Sequence, residues 1–234
     1  MQTIGLLGGM SWESSAHYYR LINQEVRRRL GGHHSARSVM LSVDFAEVEA
    51  LQHAGRWDVL SGQMVTAAQQ IERGGADLLL ICTNTMHLMA QAVADAVSIP
   101  LLHIADPTGE AIVRQGMPRV GLIGTAFTME QAFYRDRLHG KHGIDVIVPP
   151  AGDRASVHAI IYDELVHGVV NPQSRATYRA IMQRLADNGA QAVILGCTEI
   201  MLLVDQSDSP VPLFDTTTLH AMAAVDAALA GPHA

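Results

Sequence analysis

Ile4-Gly5-Leu6-Leu7-Gly8 returns as Val120-Gly121-Leu122-Ile123-Gly124, 116 positions later (120 minus 4). Each is an apolar run of strand length closed by glycine, and each opens into a segment with helical periodicity, which is the pattern of a parallel βαβ unit. Two further pairs keep the same order and nearly the same spacing. Gly75-Ala76-Asp77-Leu78-Leu79-Leu80-Ile81 matches Gly189-Ala190-Gln191-Ala192-Val193-Ile194-Leu195 at 114 (189 minus 75), and Pro100-Leu101 matches Pro212-Leu213 at 112 (212 minus 100). Three ordered matches at an almost constant offset indicate a duplication, with a period far above the roughly 20 to 50 residues of a solenoid. The fold class read from this is α/β. Two pseudo-symmetric lobes are expected, each a mainly parallel sheet flanked by helices: residues 1–116, with C-terminal residues packing back on them, and residues 117–234.

Strands are expected at Thr3 to Leu7, Val39 to Val43, Asp77 to Ile81, Leu101 to Ile104, Val120 to Ile123, Asp145 to Val148, Ala192 to Leu195 and Val211 to Phe214. Thr128 followed by Gln131 resembles a capping box, and Ser11 with Glu13 a first helical turn, so both glycine loops should open into helices. Loops leaving the carboxyl ends of parallel strands form ligand crevices. Two such lobes are therefore expected to bring equivalent loops to opposite sides of one cleft.

The 234 residues are 48% apolar and 17% charged, enough to bury a sizeable core. No apolar run approaches the roughly 18 residues of a membrane span, and no basic segment leads into a hydrophobic stretch with a cleavage site, so a cytoplasmic protein without membrane partners is expected. A formal net charge of -7 without a long basic run argues against nucleic acid and for a small-molecule substrate. The two cysteines suit a reducing compartment, not a disulfide framework. Lys141, the only lysine, sits in the turn His139-Gly140-Lys141-His142-Gly143. Pyridoxal phosphate chemistry would need it as the Schiff-base residue in that exposed-looking place.

The strand ending near Ile81 runs into Cys82-Thr83-Asn84-Thr85-Met86-His87, and its repeat partner into Gly196-Cys197-Thr198-Glu199. Small polar residues where a strand ends and a helix starts offer donors for a carboxylate. A thiol at such a helix start is expected to have a lowered pKa.

These residues resemble the aspartate/glutamate racemase family, whose members carry a Cys-Asn-Thr loop in the first lobe and a Gly-Cys-Thr loop in the second. The resemblance also takes in Ile4 to Ser14, Ser42-Val43-Asp44-Phe45 and Glu199, which looks like the aspartate and broad-specificity branch. It implies a cofactor-independent racemase of acidic amino acids. One cysteine would remove the α-proton and a group on the opposite face would return one, with no metal or organic cofactor. It further implies substrate contacts from Met10, Gln52, Asn84, Thr85, Thr198 and Glu199, and a homodimer. His167 is a weak stand-in for the basic residue that some relatives use to hold a side-chain carboxylate.

The chain departs from the pattern at one position: Thr83 stands where the family places its first cysteine, and the cysteine is at 82. The internal repeat agrees, because the 114 offset pairs Cys197 with Thr83 and Gly196 with Cys82. Adjacent side chains in an extended chain point to opposite faces, so Cys82 reads as a small buried hydrophobe. The expected catalytic pair is thus Cys197 as base and Thr83 as a poor partner that passes or orients a proton. L-aspartate or L-glutamate is then processed and the D enantiomers slowly.

Two other functions fit the same residues. An arylmalonate-type decarboxylase of the same superfamily would protonate a carbanion from one side with a single cysteine, and a non-catalytic amino-acid-binding protein would need neither. The histidines His33-His34 and His139-x-x-His142 lack the spacing and companions of a metal site. Asp106 and Asp215 are expected as helix N-caps. His87 and His103 carry no assignment, the latter placed within a strand.

Overall fold

The computed structural model describes residues 1–231. Its contacts fall into two units, residues Met1–Ile104 with the chain from His220, and Ala105–Leu219.

The first unit contains β1 (Ile4–Gly8), α1 (Trp12–Leu30), β2 (Ser38–Ser42), α2 (Phe45–His53), α3 (Trp57–Arg73), β3 (Leu78–Ile81), a 3-10 turn over Thr85–Met89, α4 (Ala90–Ala96) and β4 (Leu101–Leu102). Its sheet runs β2-β1-β3-β4, all parallel. β1 and β3 are buried along their whole length, because helices cover both faces, and this is why they read as unbroken apolar runs. Leu7, Leu79 and Ile81 pack on one face with Leu60, Met64 and Ile71 of α3. Ile4, Leu6, Leu78, Leu80 and Cys82 pack on the other with Tyr18, Ile22 and Val26 of α1, spaced four apart to make one helical stripe.

The second unit contains α5 (Ala105–Arg114), β5 (Arg119–Gly124), α6 (Ala126–Glu130), α7 (Ala132–His142), β6 (Asp145–Ile147), α8 (Ala151–Asp163), a 3-10 turn over Leu165–His167, α9 (Pro172–Asp187), β7 (Val193–Gly196), α10 (Ile200–Leu203), a 3-10 turn over Gln206–Asp208 and β8 (Leu213–Asp215). Its sheet order, β6-β5-β7-β8, repeats that of the first. The last helix, α11 (Thr216–Ala230), begins here and from His220 belongs to the first unit, where Ala221, Ala224, Val225 and Ala228 join the α1 face.

The two sheets also share their register. Leu7 pairs with Ile81 and Ile123 with Leu195, so the equivalences are 116 (123 minus 7) and 114 (195 minus 81). Leu79 pairs with Leu101 and Val193 with Leu213, which gives 112 (213 minus 101). Hydrogen-bonded pairing thus reproduces all three sequence offsets, and Thr83 and Cys197 lie two residues beyond equivalent rungs.

Several local features differ from the sequence reading. The units divide after Ile104, not near Gly116, because α5 packs within the second unit: Asp106 pairs there with Arg137 and Lys141 of α7, and Gly109 has no side chain where the His142 ring lies. The helix after β5 starts at Ala126 and is capped by Thr125, whose Oγ1 accepts from the Thr128 N–H, so Thr128 is inside the helix and no capping box joins it to Gln131. β4 is only two residues long, which leaves His103 beyond its end. Asp106 lies within the first turn of α5 as an ion-pair partner, whereas Asp215 does cap α11, accepting from the Thr217 N–H at 3.0 Å. Residues 232–234 of the second expected lobe lie outside the described residues.

Candidate active site

In the first unit the loop Gly8 to Ser11 is held from inside α1. Gly9 adopts φ +93° and lies so close to the Val43 backbone that no Cβ fits. Its N–H donates to Ser15 Oγ at 2.8 Å, and that hydroxyl donates to the Ser11 carbonyl at 3.0 Å. Ser11 caps α1, with its Oγ accepting from the Ser14 N–H. Ser14 Oγ in turn donates to the Cys82 carbonyl at 3.1 Å. Short serines in one helical turn therefore set both the glycine loop and the exit of β3.

The alternation of β3 carries through that exit. Cys82 is fully buried on the α1 face with Leu78 and Leu80, and burial pushes its thiol far above the ordinary range. Thr83, the next residue, is half-buried. Asn84 and Thr85 are buried where the 3-10 turn begins. Gln52, on α2, is buried rather than exposed, and its Nε2 donates to Met86 Sδ at 3.3 Å. Met10 packs in the same cluster as Met86 and Val48. Met86 thus joins Gln52 to the loop that follows β3, and Met10 belongs to the same apolar cluster.

In the second unit β5 and β7 approach so closely at their ends that a Cβ on Gly124 would lie 2.7 Å from the Gly196 carbonyl oxygen, and one on Gly196 2.7 Å from Leu122 Cδ1. The backbone contact excludes a side chain at Gly124, whereas one at Gly196 would have to displace the end of Leu122. Cys197 follows, half-buried, and its Sγ–H donates to Glu199 Oε2 at 3.0 Å. Thr198 Oγ1 donates to the same oxygen at 2.6 Å. Glu199 is itself buried, so this carboxylate gathers two donors from adjoining residues out of bulk water.

The thiol's titration is the opposite of the sequence expectation. Burial, then the Glu199 charge and its hydrogen bond, push Cys197 well above the ordinary thiol range; backbone N–H groups of Glu199 and Thr198 act the other way and are outweighed. Burial is the largest cause, and the helix that follows does little against it. α10 is four residues long, so the dipole expected at its N-terminus is small, while a carboxylate stands at contact distance. At rest the residue is a thiol with its proton directed at a base.

Tyr178 of α9 was not singled out in the sequence. It is buried, its hydroxyl donates to the Val157 carbonyl at 3.4 Å, and its pKa is raised by burial and then by Cys197, Glu164 and Glu199, which places these groups around it. Its spacing with Ile181, Met182 and Leu185 is that of an ordinary core stripe, so no pattern marked it. His167 is exposed at the end of its 3-10 turn. Lys141 donates to Asp106 Oδ2 at 2.6 Å. Among the described residues no group of three His, Cys, Asp or Glu is arranged to hold a metal ion, and no helix is long and apolar enough to cross a membrane.

Residues 7–224 match the family model described as Asp/Glu/Hydantoin racemase. The chain is 50% identical to a Yersinia pestis protein assigned to the Asp/Glu racemases, with a TM-score of 0.91 over 98% of this chain and 100% of that one. It is 30% identical to an aspartate racemase homologue from Pyrococcus horikoshii OT3, with a TM-score of 0.84 over 98% and 100%. It is also 26% identical over 176 residues, 74% of each chain, to the broad specificity amino-acid racemase RacX of Bacillus subtilis (strain 168).

Proposed function

The chain belongs to the Asp/Glu/hydantoin racemase family, which makes it an amino-acid-racemising isomerase, and we propose that it racemises aspartate or glutamate without a cofactor, with Cys197 as the base. The observation that carries the reading is the Cys197–Glu199 hydrogen bond at the end of β7, at the position equivalent to Thr83 in the first sheet.

The proposed steps use the groups that each loop carries. When an amino acid binds, its α-ammonium brings in positive charge that favours thiolate, and Glu199 accepts the thiol proton over a contact already made. The thiolate takes the α-proton; the Cα–H electron pair moves into the substrate carboxylate as an enediolate. The resemblance assigns the holding of that carboxylate and its developing charge to Asn84, Thr85, Thr198 and Glu199. A proton is then delivered to the opposite face from the Thr83 hydroxyl, which is replenished by water, while Glu199 returns its proton to solvent and Cys197 keeps the α-proton as its resting thiol. Every proton removed is thereby balanced by one supplied. The only lysine is engaged by Asp106, which argues against a Schiff base at that residue.

Thr83 is a far weaker acid than a thiol, so the two faces are unequal. Because the equilibrium constant of racemisation is one, kcat/KM for inversion is equal in both directions. The asymmetry shows instead in isotope exchange. The L enantiomer loses its α-proton to Cys197 repeatedly before Thr83 completes an inversion, whereas a D enantiomer that loses its proton is trapped from the Cys197 side and inverts. The test is NMR of L- and D-aspartate and L- and D-glutamate in deuterated water, extended to neutral and basic amino acids because of the broad-specificity relative. Exchange in L-aspartate or L-glutamate that Cys197→Ala abolishes supports the proposal; exchange in neither overturns it.

A further inference from the structure

Thr83 sits on a group of buried imidazoles that the reaction itself does not consume. His87, His103 and His220 are all buried, with ring centroids 4.5 Å apart for His87–His103 and 5.9 Å for His87–His220. His87 Nδ1 lies 2.8 Å from the Thr83 carbonyl oxygen, and its Nε2 lies 3.2 Å from the Ile104 backbone nitrogen. A carbonyl can only accept and a backbone N–H can only donate, so these two contacts together define a neutral ring with its proton on Nδ1. His220 is fixed in the opposite sense. Its Nε2 donates to the Leu102 carbonyl at 2.8 Å and its Nδ1 accepts from the Tyr18 hydroxyl at 2.9 Å.

The placement of the His87 ring is specific to the residue on which the proposed reaction depends. β3 ends at Ile81, and the chain over Cys82, Thr83 and Asn84 is in neither strand nor helix. Ser14 pins the carbonyl of Cys82 and His87 pins that of Thr83. The other edge of the same ring is tied to Ile104, two residues past β4 and the last residue before the chain leaves the first unit. A rigid aromatic bridge thus joins the backbone at Thr83 to that at Ile104.

We infer that His87 is a positioning residue for Thr83: its neutral ring, donating to the Thr83 carbonyl and accepting from Ile104, sets the direction of the hydroxyl that returns the proton during inversion. The inference rests on the racemase reading of Thr83. It concerns one face only, so it separates inversion from exchange. A misplacement of about 1 Å can cost on the order of 10²-fold in rate, whereas removal of the L α-proton is the work of Cys197.

The experiment incubates L-aspartate and L-glutamate in deuterated water with wild-type enzyme, His87→Leu and His87→Asn, and measures two products separately: deuterium in the remaining L enantiomer and deuterated D enantiomer. His87→Leu, which lacks both polar contacts, is expected to lower the ratio of inversion to exchange by roughly tenfold or more. His87→Asn keeps an amide donor near the place of Nδ1 and should recover most of that ratio. A merely structural role would lower both products together and leave their ratio unchanged in either variant, which overturns the inference alone. No exchange by the wild type with either substrate removes the racemase reading and the inference with it. Should neither variant fold, ¹⁵N NMR of the wild-type imidazoles decides: a neutral His87 protonated at Nδ1 is expected, and a ring protonated at Nε2, or at both nitrogens, near neutral pH overturns the inference.

Discussion

Replacing Cys82 by alanine separates the two thiols most cleanly. The side chain is fully buried among Ile4, Leu6, Tyr18, Leu78 and Leu80, so the substitution removes one core atom of about methyl size and leaves a small cavity. The transfer cost of such a group is about 0.8 kcal/mol, and the cavity brings the total to roughly 1–2 kcal/mol. For a chain of this length that is a fall in Tm of a few degrees, since about 1 kcal/mol shifts Tm by roughly 2–4 °C. α-Proton exchange from the L substrate should stay within about twofold, because Cys82 faces α1 while catalysis is assigned to Cys197. Calorimetry and exchange NMR on the same sample provide both numbers. A folded Cys82→Ala protein whose exchange fell by two orders of magnitude would refute the reasoning, because the thiol would then have to reach substrate from the α1 face.

Further outcomes follow from the same geometry. Alkylation of Cys197 by iodoacetamide should be slow at neutral pH and climb with pH, since burial and Glu199 hold the thiol protonated; Glu199→Gln removes a negative charge and should move that profile to lower pH, while a shift to higher pH would contradict the Glu199 assignment. Asp106→Asn should cost roughly 1–3 kcal/mol at pH 7 in urea unfolding, because burial acting alone would raise that carboxyl and the Arg137 and Lys141 contacts instead hold it well below the usual range. A depressed folded pKa contributes stability above the unfolded value of about 3.9 that is lost as pH falls through the folded one, so the wild-type advantage should shrink only below about pH 4. Thr83→Cys should raise inversion relative to exchange by roughly tenfold or more, because a thiol is a far better acid than a hydroxyl; an unchanged ratio would remove Thr83 from the reacting face.

All eight expected strands occur among the described residues; β1 and β3 were legible because central parallel strands covered on both faces must be apolar throughout, and the duplication fixed which strands correspond. What escaped were features decided by tertiary contact. The lobe boundary was read from sequence similarity, but α5 is assigned by the Asp106 ion pairs and by the fit of His142 against Gly109, which no local pattern announces. The start of the helix after β5 shifted to Thr125 because any threonine three residues ahead of a polar side chain imitates a cap. The thiol titration was misjudged because sequence showed a helix start but not that the helix is four residues long or that Glu199 turns its carboxylate back on Cys197. Gln52 was open between an exposed helix position and the site, and its burial against Met86 rules out the exposed position. Tyr178 looked like core, and His87, although one helical turn past Thr83, carried no assignment because its second contact, Ile104, is 17 residues away.

The account's central claim is tested most directly by following α-deuterium incorporation and enantiomer composition together when each enantiomer of aspartate and glutamate is incubated with wild-type enzyme in deuterated water. It predicts that L substrate incorporates deuterium faster than it inverts, that deuterated product from D substrate is inverted, and that Cys197→Ala abolishes both. Equal retention of configuration from the two enantiomers, or exchange surviving in Cys197→Ala, would contradict it.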